Sequence, residues 1–386
     1  MARFCLSFGA WADGISGGDR HLLEMAARWR DEVTIEVVAP PQAREAVASF
    51  VPGAEFVAAG SGARWVNERG PFLAAEYLRR AVAAQLARRR PDVVVAASHF
   101  LPDAATLTAA VRRGSRGVAY VYHLMEGRMD RSPRTLWSKV DERASLALLR
   151  RHASVVFTSN RETSDILGKR GFPVSPTDVG IDVASFQRAR PESAPPVVVF
   201  VARLVRSKGL TDAIEAVALT RRDVPDARLI VVGSGPERAA GERRAAALGI
   251  TDAVQWTGFV SETEKRRVMA SARAFLAPSY EEGWGIAVAE ALASGLPVIG
   301  YRLPILDEIF GDAYRGVQLG SVEALAAATR HLLQDDAAAL RASAAGQAAV
   351  ARYDLGQIAR HELGIIMTAG ASAAGANFAD STVRAR

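Results

Sequence analysis

Short apolar runs alternate with helical patterns along most of the chain. Residues 93–97 read Val-Val-Val-Ala-Ala, an unbroken run typical of a parallel strand buried on both faces. In the first half, strands are predicted at residues 4–8, 33–39, 54–58, 93–98, 118–123, 154–159 and 177–181, and helices at 18–29, 75–89, 135–149 and 161–169. This alternation predicts a parallel sheet flanked by helices.

The alternation stops at residues 187–196, a polar, proline-rich stretch without periodicity that predicts a linker. It resumes with strands at 197–201, 229–232, 254–256, 274–277 and 297–300 and helices at 210–220 and 286–293. The repeated βαβ pattern predicts an α/β fold of two Rossmann-like, doubly wound parallel-sheet domains, residues 1–190 and 191–368. Residues 369–386 are predicted to be a disordered, low-complexity tail. Because such sheets bind ligands at the carboxyl ends of their strands, we expect a central cleft between the two domains.

Composition narrows the class of protein. The 386 residues are 49% hydrophobic and 23% charged, which is ordinary for a globular protein. The net charge of +6 comes from residues 1–190, with 27 basic and 20 acidic side chains, against 21 and 22 in the remainder. This excess favours an anionic partner, and nucleic acid is excluded because the basic stretches lack interleaved aromatic residues. The single cysteine, Cys5, excludes a disulfide framework and favours a cytoplasmic location.

Two features of the sequence bear on whether the chain could span or contact a membrane. No apolar run reaches the roughly 20 residues that a spanning helix needs. Residues 132–151 are basic and amphipathic, with an apolar face predicted from Leu136, Val140, Ala144, Ala147 and Leu148. This face either lies on the inner face of a membrane, as a peripheral contact of the basic first domain, or packs on its own sheet. Packing is the favoured interpretation.

The strongest chemical pattern places two glutamates around a glycine-bearing loop, in the sequence that runs from Ser279 to Ile299. Glu282 precedes a predicted helix, and Glu290 lies inside that helix on an apolar face, where a buried carboxylate requires partners. Sugar or ribose hydroxyls would satisfy it, and the loop glycines would let a phosphate approach free N–H groups at the helix start. The structural alternative is that Glu282 interacts with the helix dipole and Glu290 pairs with a core arginine.

Two weaker patterns follow strands at other points. Arg203 comes just after the strand at 197–201, and Lys208 opens the next helix, so the two cations could clamp a diphosphate or form an ordinary basic loop. Gly17 and Gly18 lie between the first strand and the first helix, a position suited to phosphate contact. Residues 233–236, Gly-Ser-Gly-Pro, form a third such loop and could equally be a plain turn.

Together these patterns resemble the family 4 retaining glycosyltransferases of GT-B architecture. The matching features are the glycines after the first strand, Arg203 with Lys208-Gly209, Gly233-Ser-Gly-Pro and the pair Glu282 and Glu290 followed by Ala-x-Ala-x-Gly-x-Pro-Val-Ile. The resemblance is strong over residues 197–310 and fainter before them. Residues 178–182, Asp-Val-Gly-Ile-Asp, depart from the Asn-Gly-Val-Asp stretch of the family, and Trp284 stands where the family often has phenylalanine.

The resemblance implies roles for the donor-binding residues. Arg203 and Lys208 would hold the diphosphate of a nucleotide-sugar donor, Glu290 would accept from the ribose hydroxyls, and Glu282 would contact the donor sugar. Backbone N–H groups of Gly285 and Ile286, and of Gly17 or Gly18, would complete the phosphate cradle. Val260 would wall the nucleobase, and Gly283 and Trp284 would also belong to the donor site.

The resemblance also bears on the histidines and on cofactors. His123 ends a predicted strand, and it would lie near the donor sugar or the attacking hydroxyl; its alternative is a structural histidine. His99 has a similar strand-end position and a lower claim. No Asp-x-Asp motif occurs in the chain, and the Arg203–Lys208 pair could neutralise the diphosphate, so we predict no essential metal and no other cofactor.

The sequence thus predicts an enzyme that moves a sugar from a nucleotide donor, with UDP and GDP favoured, to a hydroxyl of a glycan, a lipid-linked saccharide or a small molecule, with retention. Two alternatives remain open: a nucleotide-sugar epimerase or hydrolase of the same architecture, and a non-catalytic nucleotide-sugar sensor.

Overall fold

The computed structural model describes residues 1–10, 15–59, 90–124, 133–186 and 196–369, with the side chains of the helix that starts at Pro133 described from Lys139 onward. The chain forms two compact units. The first comprises Met1–Gly180 and Leu355–Arg386, and the second comprises Ile181–Asp354. The predicted fold of two Rossmann-like parallel sheets is confirmed.

The described part of the first unit contains a seven-stranded sheet in the order β3-β2-β1-β4-β5-β6-β7. Every pair of neighbouring strands is parallel, which places all the carboxyl ends at one edge. The strands are β1 (Ala2–Ser7), β2 (Val33–Ala39), β3 (Glu55–Ala58), β4 (Val93–Ala96), β5 (Arg116–Val121), β6 (Val155–Thr158) and β7 (Val174–Pro176). The helices that pack on them are α1 (Gly17–Trp29), α2 (Arg44–Phe50), α3 (Leu101–Val111), α4 (Pro133–His152) and α5 (Arg161–Lys169).

The second unit has a six-stranded parallel sheet in the order β10-β9-β8-β11-β12-β13. Its strands are β8 (Val197–Val201), β9 (Arg228–Val232), β10 (Val254–Gly258), β11 (Ala274–Ala277), β12 (Val298–Tyr301) and β13 (Arg315–Val317). The described helices of this unit are α6 (Val183–Phe186), α7 (Leu210–Thr220), α8 (Arg238–Ala247), α9 (Glu262–Ser271), α10 (Ile286–Ala293), α11 (Pro304–Phe310), α12 (Val322–Gln334) and α13 (Asp336–Val350).

Several elements differ from the predictions, or were not predicted. The last strand of the first sheet is β7, at Val174–Pro176, and not residues 177–181. Helix α3 was not predicted because ten of its eleven residues are buried, which leaves no polar face to create a helical period. Strand β13 was not predicted because its three residues gain their structure from pairing with β12. The predicted helix at 75–89, residues 187–195 of the predicted linker and the tail from residue 370 lie outside the described residues.

The C-terminal helix α14 (Leu355–Thr368) belongs to the first unit, whereas the sequence places it in the second domain. Its residue Ala359 accepts a hydrogen bond from Trp29 Nε1 (2.8 Å), and the buried Glu362 accepts hydrogen bonds from Tyr120 (2.5 Å) and Thr177 (2.6 Å). An amphipathic pattern predicts that a helix covers a sheet but does not say which sheet.

Helix α4 packs on α3 with a face that matches the predicted one only in part. Ala144 and Leu148 of the predicted face pack against Leu101 and Ala105 of α3. Val140 and Ala147 are exposed, whereas the buried positions are Asp141, Glu142, Ser145, Leu146 and Leu149. The prediction was wrong at Val140 and Ala147 because it assumed that apolar residues alone define the buried side. Among the described helices, none combines the length and the apolar character that a bilayer crossing needs.

Candidate functional site

Three loops pack against one another at the carboxyl ends of β8, β9 and β11 in the second unit. A Cβ on Gly209 (φ 68°) would lie 2.0 Å from the carbonyl oxygen of Pro278, and a Cβ on Gly233 would lie 1.9 Å from that of Ala202. The Tyr280 N–H donates to the carbonyl of Ser207 at 2.8 Å. Since neither glycine position leaves room for a side chain, these contacts explain the two glycine motifs as close backbone approaches.

Lys208 and Glu282, which the sequence assigns to the diphosphate and the sugar, form an ion pair. Lys208 Nζ lies 2.7 Å from Glu282 Oε1 and donates to the carbonyl of Glu281 at 3.3 Å. The Ser279 hydroxyl donates to the same Glu282 oxygen at 2.8 Å. Both charged side chains are mostly buried, 19% and 16% exposed. Two of the three ammonium donors are thus used inside the loop, and the remaining one can serve an anionic ligand.

Arg203 and the start of α10 offer further groups to an anion. Arg203 is exposed two residues beyond β8, and no described residue pairs with its guanidinium. Helix α10 begins after Gly285 (φ 98°), has no side-chain cap and carries no acidic residue in its first turn. Its first N–H groups, including that of Ile286, therefore point outward at the positive end of the helix dipole. Gly283 is exposed in the same loop.

Glu290 lies inside α10 with 2% of its surface exposed and pairs with a lysine that the sequence reasoning missed. Lys265 Nζ lies 2.9 Å from Oε1 and 2.8 Å from Oε2 of Glu290, and 2.9 Å from Oε2 of Glu262. The structural alternative expected an arginine here. Lys265 could have been found from the pattern of α9, where it occupies a position on the buried face beside Val268 and Met269.

The side chain of Trp284 packs in the core of the second unit. Its indole is 5% exposed and makes edge contacts with Phe310 (ring centroids 5.5 Å apart) and Tyr353 (5.0 Å). The predicted donor contact of Trp284 is therefore limited to its backbone. Val260 is half-buried two residues beyond β10, next to Phe259, whose ring is 88% exposed.

A second polar network, also missed from the sequence, supports the loop after β11. Asp212, in the first turn of α7, accepts hydrogen bonds from Tyr280 (2.7 Å) and Tyr301 (2.5 Å) through one oxygen. Burial, and then the hydrogen bond to Asp212, raise the pKa of Tyr301 far above its usual value, so this hydroxyl remains a donor. No sequence motif signals this network, because its three residues belong to three separate elements.

In the first unit, the start of α1 lies against the end of β5. A Cβ on Gly18 would lie 2.6 Å from the ring of Tyr122, whose hydroxyl donates to the Gly18 carbonyl at 3.2 Å. Tyr122 precedes His123, which is exposed. Ser16 caps α1 through the Asp19 N–H, and no described residue accepts a hydrogen bond from the N–H of Gly17 or Gly18. The structure therefore places Gly18 against Tyr122, the residue that precedes His123 in the chain.

A buried carboxyl group joins the ends of β1 and β4. Asp103 accepts hydrogen bonds from the Ser7 hydroxyl (2.8 Å), the Gly9 N–H (2.6 Å) and the Ser98 hydroxyl (2.6 Å). Burial raises the pKa of Asp103 to about 7 despite these hydrogen bonds. Asp103 thus fixes the loop that leads from β1 toward the start of α1.

Comparisons with known proteins show the family of the chain. Residues 184–349 match the family model of glycosyl transferases group 1, and residues 16–180 match that of the glycosyl transferase 4-like domain. A GDP-mannose-dependent α-(1-6)-phosphatidylinositol dimannoside mannosyltransferase from Mycobacterium tuberculosis is 30% identical over 270 residues, covering 66% of this chain and 68% of that protein. A 2-deoxystreptamine glucosyltransferase from Streptomyces kanamyceticus is 30% identical over 52% of this chain and 56% of its own length.

Solved structures agree on the fold. Anabaena HepE in complex with UDP and glucose matches with a TM-score of 0.76 and 18% identity, covering 95% of this chain and all of that one. Sucrose-phosphate synthase from Thermosynechococcus elongatus matches with a TM-score of 0.78 and 17% identity, covering 96% of this chain and all of that one.

Two parallel-sheet units of this kind, each with glycine loops at the carboxyl edge, define the GT-B class of α/β enzymes. The chain belongs to the family 4 glycosyltransferases of GT-B architecture. It spans about half the length of the first curated relatives that it matches.

Proposed function

We propose that this glycosyltransferase moves a sugar from a UDP- or GDP-linked donor to an acceptor hydroxyl with retention at the anomeric carbon. The observation that carries the proposal is the grouping of Lys208, from the loop after β8, with Ser279 and Glu282 of the glycine-bearing loop just before the uncapped start of α10. A donor sugar diphosphate requires this combination, with positive charge for the phosphates and a fixed carboxylate for sugar hydroxyls. Relatives point to the same donors, since HepE is bound to UDP and the mannosyltransferase is named for GDP-mannose.

In this proposal, the charged residues divide the work between leaving group and sugar. Arg203 and Lys208 stabilise the charge that grows on the departing diphosphate, helped by the N–H groups of Gly285 and Ile286. Glu282, held by Lys208 and Ser279, accepts hydrogen bonds from the donor sugar. Glu290 accepts from the ribose hydroxyls, Val260 borders the nucleobase, and Gly17 and Gly18 offer backbone N–H groups to phosphate.

The proposed chemical step proceeds on one face of the sugar. The leaving diphosphate oxygen takes the proton of the acceptor hydroxyl as the new glycosidic bond forms, while His123 orients the reacting groups. A double displacement would need one carboxylate as nucleophile and another group as acid and base. In the second unit, Glu282 is already bound to Lys208 and Ser279, and Glu290 to Lys265. Neither arrangement suits a free nucleophile.

Acceptor, cofactor and location complete the proposal. The acceptor is a hydroxyl of a glycan, a lipid-linked saccharide or a small molecule. No metal is required because Arg203 and Lys208 supply the positive charge, so we expect turnover to continue in EDTA. The enzyme acts in the cytoplasm, with peripheral contact to the membrane through the basic first unit as one arrangement.

Nucleotide binding and product analysis test this function. Calorimetry or thermal shift with UDP, GDP, ADP and dTDP should show micromolar binding of at least one, and binding of none would refute the proposal.

Proton NMR of the product should show the anomeric configuration of the donor, whereas an inverted product would contradict retention. Intact-protein mass spectrometry during turnover should show no sugar adduct on Glu282. Diphosphate release that rises well above slow hydrolysis by water when an acceptor is added would separate transfer from hydrolysis, and binding without any turnover would favour a sensor.

A further inference from the structure

The end of β4 carries a buried histidine whose position no predicted role explains. His99 is 2% exposed, and its Nε2 lies 3.1 Å from Oε1 of Glu142, which is 3% exposed and projects from α4. The ring of His99 also stacks on that of Phe100, with centroids 4.6 Å apart. The carboxylate and the stacked ring together fix the orientation of the imidazole.

The same imidazole contacts the exposed histidine of the proposed site. The ring centroids of His99 and His123 lie 6.1 Å apart at an interplanar angle of 87°, an edge-to-face contact. The contact follows from topology, since β4 and β5 are parallel neighbours and their carboxyl ends meet at one edge. His99 therefore lies between a buried carboxylate and the ring of His123.

Stability alone does not account for this pair. Burying a carboxylate is costly, and a buried carboxylate–imidazole pair contributes little more to folding than apolar side chains of similar volume would. The same face of α4 also buries Asp141, whose pKa is raised by burial, so α4 does not owe its packing to apolar residues alone. A carboxylate that holds one nitrogen of an imidazole is a common device for fixing a ring that acts on something else.

We propose that Glu142 and His99 are positioning residues for the sugar transfer: Glu142 orients the His99 ring, and His99 holds the His123 ring in the conformation that the reaction requires. This inference rests on the proposed function, because it gives His123 its role at the acceptor. Neither residue touches the substrates, so each should affect turnover more than donor binding.

The test replaces the polar pair by apolar groups of similar volume. In the double variant His99→Leu with Glu142→Leu, position 99 has no ring to contact His123 and neither member of the pair is left buried without the other, so the thermal midpoint should stay close to that of the wild type. Diphosphate release from UDP-glucose and GDP-mannose with water as acceptor gives kcat and KM without an identified acceptor. We expect kcat to fall about ten- to hundred-fold, with KM for the donor within about two-fold, because a misplaced reacting group slows the chemical step.

Two single variants and a control complete the design. Glu142→Gln can still hydrogen-bond His99 and should keep most of the wild-type kcat, whereas Glu142→Leu should not. Ser145→Ala is the matched control, since Ser145 is buried on the same face of α4 and donates to the Glu142 carbonyl rather than to its carboxylate. If the double variant fails to fold, His99→Gln takes its place. Its amide can donate to Glu142 but has no ring to contact His123, so it must show the same loss of kcat.

The outcomes separate this inference from the proposed function. Wild-type kcat in the double variant or in His99→Gln overturns it, as does a Glu142→Gln variant no better than Glu142→Leu. A wild-type protein that binds none of UDP, GDP, ADP and dTDP refutes the proposed function itself, and the inference falls with it.

Discussion

At the residue scale, the two glutamates of the strongest motif are held by lysines in different ways. Glu282 is partly exposed and shares Lys208 with a backbone carbonyl, whereas Glu290 is buried and takes both of its contacts with Lys265 at 2.8–2.9 Å. The first pair can open toward a ligand at small cost, because solvent already reaches it. The second pair is part of the packing between α9 and α10, so its separation would leave a buried charge without a partner.

Removing either cation of the proposed clamp should weaken diphosphate binding without unfolding the chain. Arg203→Ala and Lys208→Ala each remove hydrogen bonds to a charged ligand, worth about 1.5–3 kcal/mol, so affinity for UDP or GDP should fall about ten-fold or more. Titration calorimetry measures the change. Arg206→Ala, an exposed arginine of the same loop, is the control and should bind as the wild type does. Unchanged affinity in both clamp variants would remove the phosphate assignment.

The buried carboxyl of Asp103 should make stability depend on pH. Its pKa rises from 3.8 to about 7 on folding, so the folded state binds the proton more tightly than the unfolded state does. The stabilisation by the protonated Asp103 is therefore fully present below about pH 4 and is lost as pH rises to about 7. The free energy of unfolding changes by at most about 4 kcal/mol over this range.

Asp103→Asn isolates this effect. The asparagine carbonyl can still accept from Ser7 and Gly9, and it does not titrate. Urea unfolding at pH 4.5, 6 and 8 should show the wild type losing free energy of unfolding relative to the variant as pH rises. A constant difference between the two proteins across this range would contradict the raised pKa.

At the scale of elements, the start of α10 depends on an aromatic cluster beneath it. Trp284 packs on Phe310 at the end of α11 and on Tyr353, whose hydroxyl donates to the Ile309 carbonyl at 2.8 Å. A Cβ on Gly285 would lie 2.8 Å from Leu306 and 3.2 Å from Phe310. The packing of these aromatic side chains therefore positions the uncapped N-terminus of α10. It leaves the first N–H groups of the helix available to a ligand.

Truncating Trp284 should destabilise the second unit. Trp284→Ala removes a buried ring and should cost about 3–5 kcal/mol, while Trp284→Phe should cost much less because a ring still fills most of the space. Thermal unfolding with and without UDP or GDP measures both effects. At temperatures where both variants are folded, Trp284→Phe should keep the wild-type affinity. A strong loss of affinity in this folded variant would instead indicate that the indole contacts the donor.

At the scale of the whole molecule, the chain leaves the first unit at Gly180 and returns to it at Leu355. The two passages lie together, since the Ile181 N–H donates to the Tyr353 carbonyl at 2.9 Å and Ile181 forms a parallel bridge with Asp354. Helix α14 then covers part of the first unit, where Glu362 accepts hydrogen bonds from the buried Tyr120 and from Thr177. The first unit is thus completed by the end of the chain.

A chain that ends at Asp354 should lose stability in its first unit. Without α14, Trp29 and Tyr120 lose their hydrogen-bond acceptors, and the apolar surface under the helix meets water. We expect an early unfolding transition in calorimetry, or an insoluble product. A chain that ends at Ala369 keeps α14 and is the control, expected to unfold as the full chain does. Equal unfolding of the two shortened chains would show that α14 is dispensable.

The sequence by itself determined the two parallel sheets and the glycine loops, and it predicts the donor-side roles of Arg203, Lys208, Glu282 and Glu290. These features depend on local patterns, because an apolar run specifies a buried strand and a strand that ends in glycine brings its loop to the binding edge. Only the tertiary structure decided that Lys265 pairs with Glu290, that His99 joins Glu142 to His123, that the indole of Trp284 faces the core and that α14 covers the first unit. Each of these contacts joins residues that are distant in sequence, and hydrogen-bonded burial of a polar side chain leaves no periodic signal along the chain.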